Sequence, residues 1–181
     1  MMLCDSGDAG VHSKLKTSVD SASAARRERI AVVGAAAGET VSQLTARAAA
    51  LNHQRMVLVG PGGVDGSGEA ASGVTLAAAV GGAIAAMDDP AVPLGGQELR
   101  GLNGVSQQYS DNDIDLLVRG GVTPLESVSG TVSVVRGITT RTKTGDTGDR
   151  TWRELTTILV VDDVIPSIRS ALRSKFSRAK N

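Results

Sequence analysis

Aromatic rings are nearly missing from this sequence. They make up 2% of 181 residues, and Tyr109, Trp152 and Phe176 are the full set. With hydrophobic residues at 41%, the interior must be built from Ala, Val, Leu and Ile. Small side chains fill a core to native density only where backbones pack closely against one another. Cysteine is limited to Cys4, which excludes a disulfide framework within one chain and a metal site built on cysteines. The N-terminal stretch that holds it reads as loose, and a lone thiol fits a reducing compartment. Neither sign of charge is in excess: 19 Lys and Arg balance 19 Asp and Glu. Such a chain has no global electrostatic pull toward nucleic acid or an anionic membrane, and a neutral surface favours self-association. No apolar run reaches membrane-spanning length. The N-terminus carries Asp5 and Asp8 where a signal peptide would carry positive charge, so the expectation is a soluble chain without a signal peptide.

Histidine is scarce too. His12 and His53 lie far apart, and neither stands near the Gly-x-Ser-x-Gly turn that a hydrolase of that type would need. Together with one cysteine they offer no recognisable metal-ligand spacing. Both are expected on the surface or at helix ends. Asp162 and Asp163 are read as a helix cap rather than an acid–base pair.

What is present is patterned as one α/β domain, a length at which a core needs no staples. Val11, Leu15 and Val19 recur every four residues, which predicts an amphipathic helix within an N-terminal segment, residues 1–26. Residues 27–181 are expected to form the core. Arg26, Arg27 and Arg29 precede the apolar run Ile30 to Val33, and Met56 to Val59 is a second such run. Both have the character of strands buried on two faces of a parallel sheet. Between them Val41, Leu44, Ala48 and Leu51 mark a helix, completing a βαβ unit. Val74 to Met87 predicts a helix of small residues, with Gly81 and Gly82 tolerated for close approach to a neighbour. Residues 90–109 read as an irregular crossing with short extended pieces. Ser110 and Asp113 predict a capping box for a helix buried through Ile114, Leu117 and Val118, which Gly120 and Gly121 end.

The best-patterned stretch, Gly121 to Phe176, predicts a short strand and then a long strand through Val132, Val134, Val135 and Ile138. A polar loop from Thr142 to Thr151 leads to a returning strand, Trp152 to Val161, and a closing helix. Asp162 or Asp163 would cap that helix, with Pro166 in its first turn. Ile165, Ile168, Leu172 and Phe176 form its apolar stripe, and Arg169, Arg173, Lys175, Arg178 and Lys180 its other sides. Cations late in a helix suit its dipole; they also offer a docking surface to an acidic partner. The fold class expected is therefore α/β: a βαβ-containing sheet flanked by helices, closed by a C-terminal β-hairpin and helix.

One loop invites a ligand reading. Gly60 to Gly73 leaves the second buried strand at the edge where α/β folds bind phosphates. A Walker A loop, however, needs Lys and then Ser or Thr after its last glycine, and here Ser67, Gly68 and Glu69 follow. A dinucleotide fingerprint fits Gly60, Gly62 and Asp65 only with its last glycine dropped. A flexible surface loop is the expectation, and a small nucleotide- or phosphate-binding protein using Gly60 to Gly68 is the alternative function.

In order along the chain, DAGVHSKLK, RRERIAVVG with its AAxGETV helix start, AAALNHQRMVLVGPG, VTLAAAVGGAIAAMDDP, GVTPLE, VSVVRGITTRTK and WRELTTILVVDDVIPSIRSALRSKF resemble the tail sheath protein of contractile phages and related contractile injection systems. The resemblance runs from about Asp8 to the end. It implies a structural protein rather than an enzyme, one that needs no cofactor and neither binds nucleic acid nor inserts into a membrane. Its subunits would stack with neighbouring copies as sixfold rings around a tail tube. They would drive the tube through a target envelope by collapsing to a shorter, wider cylinder, within a virion tail assembled in the host cytoplasm. Members usually carry N- and C-terminal arms that add strands to neighbouring subunits' sheets, so the chain is expected to be the central part of a sheath subunit. Because the C-terminal domain of such sheaths faces the tube, the resemblance makes Arg169, Arg173 and Lys175 candidate tube contacts.

Overall fold

Two short runs without a polar side chain set the architecture. In the computed structural model, which describes residues 1–176, the elements follow in the order β1 (Met2–Leu3), α1 (Ala9–Ala24), β2 (Ala31–Gly34), α2 (Val41–Leu51), β3 (Met56–Gly60), β4 (Gly63–Val64), α3 (Gly73–Ala85), β5 (Gly104–Val105), α4 (Asp111–Arg119), β6 (Val122–Val128), β7 (Thr131–Val134), β8 (Lys143–Thr144), β9 (Thr147–Gly148) and α5 (Leu155–Phe176). One five-stranded sheet has the order β1-β2-β3-β6-β7. The first four strands run parallel, with Val32 opposite Val57 and Leu58 opposite Val122, and β7 returns antiparallel to β6. The β6–β7 hairpin turns on Ser129 and Gly130, at φ 53 and 85, the two left-handed residues that a tight hairpin matched to strand twist requires.

Every residue of β2 and β3 is buried, and alternation sorts them to the two faces. Val32, Val57 and Val59 join Leu76, Ala77, Val80 and Ile84 of α3, with Leu125, Val132, Val134, Leu155 and Ile158. Ala31, Val33, Met56 and Leu58 join Val19 of α1, Leu44, Ala48 and Leu51 of α2, and Leu117 of α4. A parallel sheet needs helices on both faces, and these strands are apolar throughout because they have them. The α/β class expected from the sequence is the one observed.

Glycine supplies the close approach that an interior without rings demands. A Cβ on Gly34 would lie 1.9 Å from the Gly73 carbonyl oxygen, and one on Gly73 would lie 2.6 Å from that of Ala35. The end of β2 and the first turn of α3 thus touch backbone to backbone. Ser72 caps that turn through the Thr75 N–H, so α3 starts at a fixed point. Gly82 differs, with nothing within 4 Å of a Cβ, and α3 as a whole is covered on one side only: Ala78, Gly82, Ala85 and Ala86 are exposed.

Several sequence expectations change. The returning strand Trp152 to Val161 does not form, and α5 begins at Leu155 instead. Leu155 and Ile158 are buried and Leu159 packs beside them. This three-four helical spacing lies within a run whose β-branched residues favour a strand, and tertiary burial overrides that preference. Pro166 consequently sits inside α5 rather than in its first turn, and its missing N–H leaves the Asp162 carbonyl without the usual helical donor. The strand through Val132 stops at Val134, after which the chain drops below the sheet. There Thr123 Oγ1 both donates to the Ile138 carbonyl and accepts from its N–H, and Thr140 N–H donates to the Met56 carbonyl. The segment read as a short strand from Gly121 is β6, seven residues long, and the hairpin that closes the sheet is β6–β7. Cys4 is buried among the α1 and α2 side chains rather than loose. In α1 Val11 is exposed and His12 is buried in its stead. The capping boxes at Thr40–Gln43 and Ser110–Asp113 are both complete, the second as expected.

Gly34→Ala should destabilise the protein by at least about 3 kcal/mol, because a backbone carbonyl cannot yield as a flexible side chain can. Gly82→Ala, at a helical position open to solvent, should stabilise it by about 0.5–1 kcal/mol. Urea denaturation of both variants beside the parent measures the contrast.

Candidate functional site

The sequence places its cations on the C-terminal helix, and α5 leaves the body of the fold to present them. Its first two turns are anchored by Leu155 and Ile158. Asp162 then accepts two hydrogen bonds from the Arg55 guanidinium, at 2.5 and 2.7 Å, at the entrance to β3. These side chains are 11% and 20% exposed, a geometry in which a bidentate pair holds both position and angle. Asp162 is thus an anchor within the helix and not its cap. About two turns further, Arg169 Nη1 lies 2.7 Å from Glu28 Oε1. The Glu28 carboxyl is held below the ordinary carboxylate range, first by its own backbone N–H and then by Arg169.

Beyond these ties the helix is open. Ile165, Ile168, Leu172 and Phe176 are exposed, with Phe176 at 62%, so the stripe expected to anchor α5 faces outward. Arg173 and Lys175 are exposed as well, and among the described residues neither has an ion-pair partner. Arg178 and Lys180 lie outside the described residues. An open groove of about 440 Å³ runs beside the helix, lined by Arg26, Pro166, Arg169, Ser170, Leu172 and Arg173. The sequence places Arg26 only ahead of an apolar run. Its left-handed backbone, φ 59, at the exit from α1 turns it toward α5, and no spacing in the sequence links it to residues 143 positions away. The structure therefore brings Arg169 and Arg173 together with Arg26 in one groove, while Lys175 stands on the same exposed helix outside that lining.

The glycine-rich loop is occupied by its own side chain. After a cis Gly60–Pro61 peptide, β4 pairs antiparallel with β5, so Gly60 to Gly63 is buried structure and not a flexible surface loop. In the exposed half, Asp65 Oδ1 accepts from the Ser67 N–H at 2.8 Å, the Ser67 hydroxyl at 2.5 Å and the Glu69 N–H at 3.1 Å. Chiefly the Ser67 hydroxyl, then these N–H groups, lower the Asp65 pKa. A phosphate loop works by turning free N–H donors toward an anion. Here a carboxylate already takes those donors, and its charge would repel phosphate.

The remaining chemistry-bearing residues act as joints. His12, buried in α1, donates from Nε2 to the Ser6 carbonyl at 2.7 Å, and Arg47 bridges Glu39 and the Gly7 carbonyl. His53 is buried at the end of α2 and meets Asp20. Neither histidine lies on the surface, although His53 does occupy a helix end. Among the described residues no group of three His, Cys, Asp or Glu side chains gathers to hold a metal, and no helix is long and apolar enough to cross a membrane.

A sheet covered on both faces, polar side chains that join distant segments, and one helix left open in both its apolar and basic sides define an α/β scaffold with an open helical surface. The chain belongs to the phage tail sheath protein family, its residues 1–140 matching the central domain of that family. Among solved structures it is similar to the sheath tail protein from Desulfitobacterium hafniense, at 17% identity and a TM-score of 0.74 over 94% of this chain and 38% of that one. The sheath tail protein from Listeria innocua aligns at 12% identity and a TM-score of 0.71, over 98% of this chain and 40% of the other. The helical sheath of the anti-feeding prophage in its contracted state aligns at 12% identity and a TM-score of 0.65, covering 97% and 47%. The chain thus spans less than half the length of each. No curated protein matches it.

Because Asp65 fills the loop, ATP, ADP or inorganic phosphate at millimolar concentration should leave the melting temperature unchanged. A ligand present at 100 times its Kd would stabilise the fold by about 2.7 kcal/mol, a shift that thermal scans resolve easily.

Proposed function

We propose that this chain is the central part of a contractile tail sheath subunit. In this reading it stacks with neighbouring copies as sixfold rings around a tail tube and helps drive the tube through a target envelope by contraction. The observation that carries the reading is the family match over residues 1–140, joined to a fold shared with sheath proteins over more than nine-tenths of this chain. The work is mechanical, so no catalytic residue and no cofactor enters. The place of action is the virion tail, assembled in the host cytoplasm.

The tube contact is assigned to α5 through Arg169, Arg173 and Lys175. Three features support it: the helix is exposed beyond its two ion pairs, its cations stand beside open apolar side chains, and Arg26 adds a further positive charge to the same groove. An apolar strip flanked by cations suits an acidic surface carrying apolar patches, since burial supplies affinity and charge supplies register. Arg169 already pairs with Glu28 and would have to share or exchange that carboxylate, whereas Arg173 and Lys175 need not.

Charge reversal at Arg169 and Arg173, each to Glu, should weaken co-sedimentation with purified tail tubes about tenfold at low salt. The loss should shrink as salt rises, because exposed ion pairs are screened. Binding that is unchanged at both salt concentrations would sink the assignment of the tube contact to this helix.

A further inference from the structure

The turn between α2 and β3 ties together parts of the chain that are far apart in sequence. Asn52, in the left-handed conformation, accepts from the N–H groups of Thr142 and Lys143 through its side-chain oxygen. His53 brackets the Thr140 hydroxyl, donating to it from its backbone N–H and accepting from it at its carbonyl. Arg55 holds α5 through Asp162, while its own carbonyl is fixed to β2 by the Ala31 N–H. The His53 ring lies at the centre of this joint, its side chain 8% exposed.

Both ring nitrogens are committed. Nδ1 stands 3.1 Å from the Arg55 backbone N–H, which can only donate, so Nδ1 carries a lone pair. The proton of the neutral ring is therefore on Nε2, which donates to Asp20 Oδ1 at 2.6 Å. A second proton can enter only at Nδ1. It would set N–H against N–H, and the bond that shapes the turn would be lost.

We propose that the His53 turn is a pH-sensitive latch on α5: a proton taken up from solvent at Nδ1 breaks the bond to the Arg55 N–H, displaces Arg55, and loosens its two-pronged hold on Asp162. The charged groups facing the ring are Asp20 and Lys16 of α1, Arg141 in the segment after β7, and Arg55 itself, which leads to Asp162 of α5. Burial lowers the His53 pKa from its ordinary value of 6.5; Asp20 opposes that shift, and Lys16 and Arg141 add to it. The sign follows. The latched state binds the proton less well than the unlatched one, so the latch is at full strength above about pH 6.5 and weakens as pH falls through the lowered value. What opens is α5 because its outer turns have few other holds: past Leu159, which still packs on the core, the Asp162 and Arg169 ion pairs are its main ties, and most of its apolar side chains face solvent. Local opening of such an element costs far less than global unfolding.

These contacts lie within one chain and stand whether or not α5 meets a tube. Hydrogen exchange of the 181-residue chain at pH 7 and pH 5, corrected for the intrinsic pH dependence of exchange, tests the latch. Protection of peptides from residues 155–176 should fall about tenfold more than that of β2 and β3 on acidification. In His53→Asn the side-chain oxygen can accept from the N–H two residues on without titrating, so the extra loss should disappear. Asp20→Asn keeps an acceptor for Nε2 but removes the carboxylate charge that favours protonation, and should move the midpoint of opening to lower pH. The idea is overturned if α5 loses no more protection than the core, or if His53→Asn opens like the parent. Should His53→Asn not fold, Asp20→Asn decides alone: a midpoint that stays in place or rises also overturns it.

Discussion

Where β2 ends and α3 begins, the Gly73 carbonyl stands in the space that a side chain on Gly34 would need, at 1.9 Å from its Cβ position. Nothing larger than hydrogen fits on either glycine. This contact brings α3 onto the sheet close enough for Leu76, Ala77 and Val80 to meet Val32, Val57 and Val59. A chain with three aromatic residues has no large rings to bridge a wider gap, and a gap would forfeit dispersion contacts that individually are small but collectively are large. Gly81 extends the logic at the other end of the helix, where a Cβ would meet Leu3 Cδ2 at 2.7 Å. The edge strand β1 therefore sits beside α3 on the same terms.

The parts of this fold that could be read in the sequence are those where local pattern and tertiary need coincide. The runs at Ile30 and Met56 are apolar on both sides because both faces are covered, and the Ser110 capping box satisfies donors that belong to its own helix. The parts that could not be read are those where a distant partner decides. Thr156, Thr157, Val160 and Val161 favour a strand in isolation; the helix forms because Leu155 and Ile158 reach the core and Asp162 reaches Arg55, 107 residues away in sequence. His12 was invisible as a core residue, since its burial rests on a bond to the Ser6 carbonyl that no side-chain pattern encodes. For the candidate site, the cations on α5 were legible as a face of a helix. Arg26 was not, because its membership depends on a single left-handed residue at a helix exit.

Polar chemistry in this protein is spent internally. Buried threonines satisfy the chain as it drops below the sheet, Asp65 closes the glycine loop on itself, and His53, Asn52 and Arg55 fasten segments that share no strand. The buried ones among these would be costly left half-paired, because a buried donor or acceptor without a partner costs about 1–3 kcal/mol. Pairing within the chain is reason enough for each of these groups. The open surface of α5 has no such internal reason.

That contrast also sets where the molecule can yield. Fully burying a leucine or isoleucine is worth about 1.5–3 kcal/mol, and α5 buries Leu155 and Ile158 in its first two turns while leaving Ile165, Ile168, Leu172 and Phe176 outside. Past Leu159 the helix is held mainly by charge: the largely buried Arg55–Asp162 pair and the more exposed Arg169–Glu28 pair. Exposed ion pairs contribute about 0–1 kcal/mol each and weaken with salt. The outer half of α5 is therefore fastened to the body chiefly by ion pairs, which respond to salt, and the sheet by apolar burial, which does not depend on charge. That division is built from Arg55 on the turn before β3 and from Glu28 on the segment between α1 and β2.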